Sequence, residues 1–283
     1  MTDPGPFVFL SIEPPAELAR VVQSIWYARG TVAYDRERIA PTGSTVALLV
    51  LGDPIRQTPD DGAGPACTSD EGLLIGPHDR PIVNEPLGET HAVGIVTTPV
   101  GCDAVFGIRP TTIRGRVVPL AAHWPGADAL RRRLQVIAEP NEMLAAVGEA
   151  LVATVGPTDT AFDRCEAAVG HLERTPTMPI AEIAAGVGVS HNRLDRDFNR
   201  IVGLSPRTLA SLLRVRALLA RIDPDGPIDW PGLAAELGWY DQAHLGRDVK
   251  RYTGVSPTRY VEAQQAYREH NAGGAEVVGF VPE

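Results

Sequence analysis

The sequence predicts an α+β protein, with a β-rich unit over residues 1–157, an all-α unit over 158–270 and a carboxy-terminal tail at 271–283. Three observations carry this. Short stretches of β-branched, aromatic and leucine residues, punctuated by Gly, Pro and Asp, dominate the first half. Beyond residue 158 only helical periodicity remains. A chain of 283 residues also falls near two domains of ordinary size.

In the first unit, strands are expected at Ile25–Tyr34, Ser44–Leu51, Leu73–Ile75, His91–Thr97 and Arg116–Leu120. The segment Gly52–Gly72, rich in Gly, Pro and Asp, reads as a long exposed loop. Ala127–Ala138 and Glu142–Thr154 carry apolar residues three and four apart and are expected to be helices. Gly156–Pro157–Thr158–Asp159 makes a hinge, after which the chain is helical to about His270.

Composition narrows the function classes. The chain is 44% apolar and 22% charged, as soluble globular proteins are, and its formal net charge is −9. That balance argues against a basic nucleic-acid coat or a polybasic membrane anchor, while leaving room for one locally basic surface. Lys250 is the only lysine, so flexible ammonium groups for catalysis are scarce. Cys67, Cys102 and Cys165 form no CxxC or Cys/His cluster, and His78, His91 and His123 lack metal-ligand spacing. No Ser-His-Asp set or carboxylate pair can be assembled, so no enzyme, cofactor, metal or catalytic residue is expected. The start has no basic segment before its proline-interrupted apolar stretch, and no apolar run approaches the ~18 residues of a membrane span. A cytoplasmic protein is the expectation.

The most informative feature is an internal repeat. IAAGVGVSHNRLDRDFNRIVGLSPRTL, from Ile183, aligns with LAAELGWYDQAHLGRDVKRYTGVSPTRY, from Leu233. In each copy a helix bearing a small residue (Ala184, Ala234) runs to a glycine four positions on (Gly188, Gly238). The alanine allows close helix approach and the glycine allows a left-handed turn, which together make a helix-turn-helix. Ser190 and Asp241 are placed to cap the second helix of each copy.

A helical wheel at ~100° per residue orients those second helices. With Arg196 at zero, Leu194, Phe198 and Ile201 lie roughly 140–160° away as the buried stripe, while Asn192, Arg193 and Arg200 share its outward face. In the second copy Leu245, Val249 and Tyr252 form the stripe, and His244, Arg247, Lys250 and Arg251 face outward. Asp195, Asp197 and Asp248 fall on the flanks, clear of any phosphate the outward face would meet. Trp239 and Tyr240 read as core or cap packing. In a helix-turn-helix of this kind the second helix enters the major groove of DNA.

At these residues the chain resembles the AraC/XylS family of transcription regulators. The Leu-x-Arg-x-Phe and Gly-x-Ser-Pro signature stands as Leu194–Phe198 and Gly203–Pro206. The family's second motif stands as Gly238–Lys250, with Trp239, Leu245 and Val249 where phenylalanines are usual. The resemblance covers roughly residues 162–265 and implies a linking helix at Pro206–Ile222. It implies two recognition helices in successive major grooves of double-stranded DNA, about 10–10.5 bp apart. It places Arg196 and Arg247 at base-reading positions, with Asn192, Arg193, Gln242 and His244 as further base contacts. Asp195 reads first as a solvated carboxylate on the flank, with acceptance from a cytosine amine as the alternative. Arg200, Lys250 and Arg251 would neutralise phosphates. Gly246 lowers helix propensity by roughly 1 kcal/mol relative to Ala and softens the second recognition helix.

The first unit resembles, more faintly, the cupin-like sensor domain that precedes this DNA-binding unit in many family members. GLLIGPHDRPIV, HAVGIVTTPVG and the stretch Val117–Gly126 carry that likeness. It implies a small-molecule effector, a homodimer, or both, and RNA polymerase as a partner at the promoter. Ligand-pocket residues are not specified by the sequence. A rival reading is a helix-turn-helix protein-interaction module without DNA affinity. Charge motivates it, since from Thr158 on there are 14 Arg and Lys against 17 Asp and Glu.

Overall fold

Eleven strands among the described residues form two antiparallel sheets. They are β1 (Val8–Ile12), β2 (Val22–Gly30), β3 (Glu37–Ile39), β4 (Val46–Val50), β5 (Ile55–Pro59), β6 (Cys67–Ser69), β7 (Gly72–Ile75), β8 (Ile82–Pro86), β9 (Thr90–Thr97), β10 (Val117–Pro119) and β11 (Phe280–Pro282). The first sheet runs β1-β2-β9-β4-β7-β10 and the second β11-β3-β8-β5-β6. The computed structural model describes residues 7–32, 34–60, 64–270 and 279–283. None of its helices is long and apolar enough to cross a membrane.

The five expected strands are present as β2, β4, β7, β9 and β10, and the α+β class holds. The expected loop Gly52–Gly72 is a correction, because it contains β5 and β6 of the second sheet. Ile55, Gln57 and Pro59 point inward while Arg56 is exposed, a period-two pattern hidden by the Pro and Asp residues around it. Ile55 and Ile82 meet Leu48, Val50, Leu73 and Ile75 between the sheets.

The helices are α1 (Cys102–Phe106), α2 (Pro110–Ile113), α3 (Ala127–Leu134), α4 (Pro140–Thr154), α5 (Thr160–Arg174), α6 (Ile180–Gly186), α7 (His191–Ile201), α8 (Pro206–Leu219), α9 (Trp230–Glu236), α10 (Gln242–Thr253) and α11 (Pro257–His270). Apolar packing crosses the expected hinge. Leu144, Val147 and Leu151 of α4 share one continuous core with Ile25 of β2, Phe162 and Cys165 of α5, and Leu194 and Phe198 of α7. The hinge residues are themselves tied: the Gly156 N–H donates to the Ala104 carbonyl at 2.8 Å, and Asp159 caps α5 through the Ala161 and Phe162 N–H groups. The helices from α9 onward gather instead around a separate core of Leu218, Trp239, Leu245, Val249 and Tyr260.

The tail carries a strand. Residues 271–278 lie outside the described ones, and 280–282 form β11, which pairs antiparallel with β3 of the amino-terminal unit. Three residues are too few to show a period in sequence. Phe280 meets Tyr34 and Tyr267 edge-on at 5.5 and 5.2 Å, and Glu283 pairs with Arg36 at 2.8 Å and with Arg38. The end of the helical unit is thereby fastened to the sheet of the other.

Beside this strand runs a polar row. Gln57 donates to Asn84 at 2.9 Å, and Asn84 donates to Glu37 at 2.7 Å. Burial pushes the Glu37 carboxyl up to about 7, against the hydrogen bonds from Tyr34 and Asn84 that pull it down. The unfolded chain releases that proton near 4.5 and the folded chain holds it to about 7, so the unfolded state binds fewer protons between those values. This group's contribution is therefore full below pH 4.5 and is lost as pH rises through 7. Chemical denaturation of wild type and Glu37→Gln across pH 4–8 should show a component of falling stability in wild type that the variant lacks.

Candidate nucleic-acid interface

Both helix-turn-helix copies are built by the same local bonds. In the first, the Gly188 N–H donates to Ala185 at 3.0 Å and Val189 to Ala184 at 3.0 Å; in the second, Gly238 donates to Ala235 at 3.2 Å and Trp239 to Ala234 at 2.8 Å. Gly188 and Gly238 have φ of 73° and 77°, the left-handed region their positions call for. Ala184 and Ala234 are buried where the paired helices approach. Ser190 accepts from the Arg193 N–H at 3.3 Å and Asp241 from the His244 N–H at 2.6 Å, so both expected caps are made. Between the copies runs α8, capped by Ser205 and packed on both α7 and α10; it ends at Leu219, short of the expected Ile222.

The stripes are inside. Leu194, Phe198, Leu245 and Val249 are 0% exposed, and Ile201 and Tyr252 are 3% exposed. Their burial turns Asn192, Arg193, Arg196 and Arg200 of α7, and Gln242, Arg247, Lys250 and Arg251 of α10, to the surface. His244 is half-buried.

Ion pairing divides these side chains. Arg196 donates only to the Asn192 carbonyl, at 3.3 Å, and among the described residues Arg196, Arg247 and Lys250 have no carboxylate partner. Arg193 uses its Nε on Asp197 at 3.1 Å, and among the described residues its terminal nitrogens meet no carboxylate. Arg200 pairs with Asp159 at 2.6 Å, and Arg251 pairs with Asp79 of the amino-terminal unit. His244 lies 3.7 Å from Asp248, turned along its own helix.

The acids do more than stay clear of an incoming phosphate. Asp197 is 5% exposed and holds Arg164 of α5 (2.8 Å) as well as Arg193. Burial pushes its pKa up, but the hydrogen bonds and charges of Arg164 and Arg193 outweigh burial and hold it below the usual range. Asp248 accepts from the Trp239 indole at 2.9 Å, and the Arg214 guanidinium lies 4.8 Å over that ring. Trp239 is core, as the sequence implied. Tyr240 is not: it stands 93% exposed at the turn leading into α10. An aromatic dipeptide gives no signal as to which ring turns inward.

Asp197 also makes a stability prediction. Removing it strands Arg164, which is partly withdrawn from water, and releases the exposed Arg193, so Asp197→Ala should cost about 2 kcal/mol in denaturant unfolding, whereas Asp195→Ala on the flank should stay within about 0.5 kcal/mol.

Comparison with known proteins agrees with this geometry. Residues 183–263 match the family described as a helix-turn-helix domain, and residues 10–119 match a domain of unknown function, DUF6597. The chain is 32% identical over 83 residues to the HTH-type transcriptional regulator MtrA of Neisseria gonorrhoeae, a stretch covering 29% of this chain and 27% of that protein. Among solved structures, ToxT from Vibrio cholerae is similar over 91% of this chain and 98% of that one, with 11% identity and a TM-score of 0.48. The AraC-like transcriptional activator CuxR is similar over 76% and 95%, with 14% identity and a TM-score of 0.26. With its doubled helix-turn-helix and its repeated Gly-x-Ser-Pro motif, the carboxy-terminal unit carries a helix-turn-helix domain over residues 183–263 and is similar there to an HTH-type transcriptional regulator.

Proposed function

We propose that this protein is a sequence-specific regulator of transcription that lays α7 and α10 in successive major grooves of one DNA duplex. One observation carries the reading. Arg196 and Arg247 stand exposed and, among the described residues, without carboxylate partners at matched turns of two helices whose opposite faces are wholly buried. A bidentate contact from each arginine to guanine O6 and N7 is the chemistry such a pair is shaped for. Asn192, Gln242, His244 and the terminal nitrogens of Arg193 complete the base-facing set, while Arg200, Lys250 and Arg251 neutralise phosphates. The amino-terminal unit takes a small-molecule effector or a second copy of the chain, and the bound complex works with RNA polymerase in the cytoplasm. The likeness to MtrA, itself described as a transcriptional regulator, supports this role for the helical unit.

The rival reading, a protein-interaction module, draws on the same ion pairs: Arg193, Arg200 and Arg251 are already met by the chain's own acids. Selection from random-sequence DNA separates the two. An enriched motif with two half-sites supports the regulator, and no retention at low salt supports the module.

Two variants test the assigned roles. Arg196→Ala and Arg247→Ala should each cost about 1–3 kcal/mol on the selected site and relax base preference at one half-site. Equal losses on selected and random DNA would overturn base reading. Asp79→Ala frees Arg251 for phosphate, so titrations at several salt concentrations should show tighter binding to every sequence and a salt slope steeper by about one.

A further inference from the structure

Between the two units, the far end of α10 and the loops flanking β5 and β8 enclose a cleft of about 380 Å³. Its walls are charged. Asp60 and Arg80 come from the amino-terminal unit, and Arg247, Lys250 and Arg251 come from α10. The nearby acids are engaged, Asp60 with Arg38 at 3.3 Å and Asp79 with Arg251. Arg80, Arg247 and Lys250 line the same hollow, and among the described residues no carboxylate is paired with them. Packing holds them there. The buried Val249 and Tyr252 fix the rotation of α10, and at its end Gly254, with φ of 80°, fits so closely under the Arg38 side chain that a Cβ would lie 2.5 Å from Arg38 Cδ.

Three cations lining one cleft favour a counter-charge between them, and guanidinium forks contributed by both units match an oxyanion with several acceptors. The volume is at the lower end of small-molecule sites, and with Pro81 and Gly254 as the uncharged lining it suits a charged ligand rather than an apolar one. We propose that this cleft binds a small, multiply charged oxyanion, with Arg80 as one jaw and Arg247 with Lys250 as the other. Its consequence rests on the DNA reading above: Arg247 and Lys250 cannot serve the anion and a duplex together, so the bound anion lowers DNA affinity.

Calorimetric titration of the full chain with pyrophosphate, and separately with citrate, against sodium chloride of matched ionic strength tests this. Saturation at one site by pyrophosphate identifies a phosphate ester class, and saturation by citrate a polycarboxylate class. Arg80 lies outside the DNA-facing set, so Arg80→Ala should weaken the anion roughly tenfold or more while leaving DNA affinity in anion-free buffer unchanged. Arg80→Lys, which keeps the charge and loses the fork, should fall between. The anion should raise the DNA dissociation constant of wild type and not of Arg80→Ala. Saturation by neither anion, or equal affinity in wild type and Arg80→Ala, overturns the site. Anion binding that leaves the DNA dissociation constant unchanged overturns the competition. Anion binding that depends on Arg80, in a chain that retains no DNA, upholds the site and removes the regulator reading.

Discussion

Everything functional in this molecule depends on two apolar stripes, Leu194–Phe198–Ile201 and Leu245–Val249–Tyr252, being driven out of water. Burying each such side chain is worth about 1.5–3 kcal/mol, whereas an exposed ion pair is worth about 0–1. The stripes therefore set the rotation of α7 and α10, and the arginines follow. A wheel phase fixed this way survives changes of salt and of partner, which ion pairs alone would not. The caps at Ser190 and Asp241 then fix where each helix begins, and so which turn brings Arg196 and Arg247 outward.

The two copies are used unequally. The first is built into the protein: α5 and α7 share a core with α4 and the larger sheet, and Arg20 reaches across to Asp163 and Glu166 of α5. The second rests on its own core and meets the amino-terminal unit through small attachments, the Arg251–Asp79 pair, Arg38 over Gly254, and the short strand β11 beside β3. Attachments of that size are comparable to the interactions a phosphate or an anion would offer the same side chains. Of the two helices, α7 is therefore the firmly fixed one and α10 the more lightly held.

What sequence reasoning could reach follows from range. The glycine turns, caps and stripes are written within four or five residues of one another, and duplication states them twice, so Gly188, Ser190 and Arg196 were readable beside Gly238, Asp241 and Arg247. Strand β5 was not, because its alternation is short and sits among prolines and aspartates, and β11 offers three residues with no period. The pairing of Asp79 with Arg251, of Asp159 with Arg200 and of Asp197 with Arg164 is set by contacts across tens of residues or more, which no local pattern encodes. Tyr240 was misread for a related reason. Trp239 enters the core and Tyr240 stays at the surface, a choice made by tertiary packing that the dipeptide does not encode.

The central claim is that one duplex reaches both recognition helices. Hydroxyl-radical and major-groove methylation footprinting of the full chain on a selected DNA site tests it most directly. The account predicts two protected major-groove segments on one face of the helix, with centres about 10–10.5 bp apart. A single protected segment, or two on opposite faces, would contradict it.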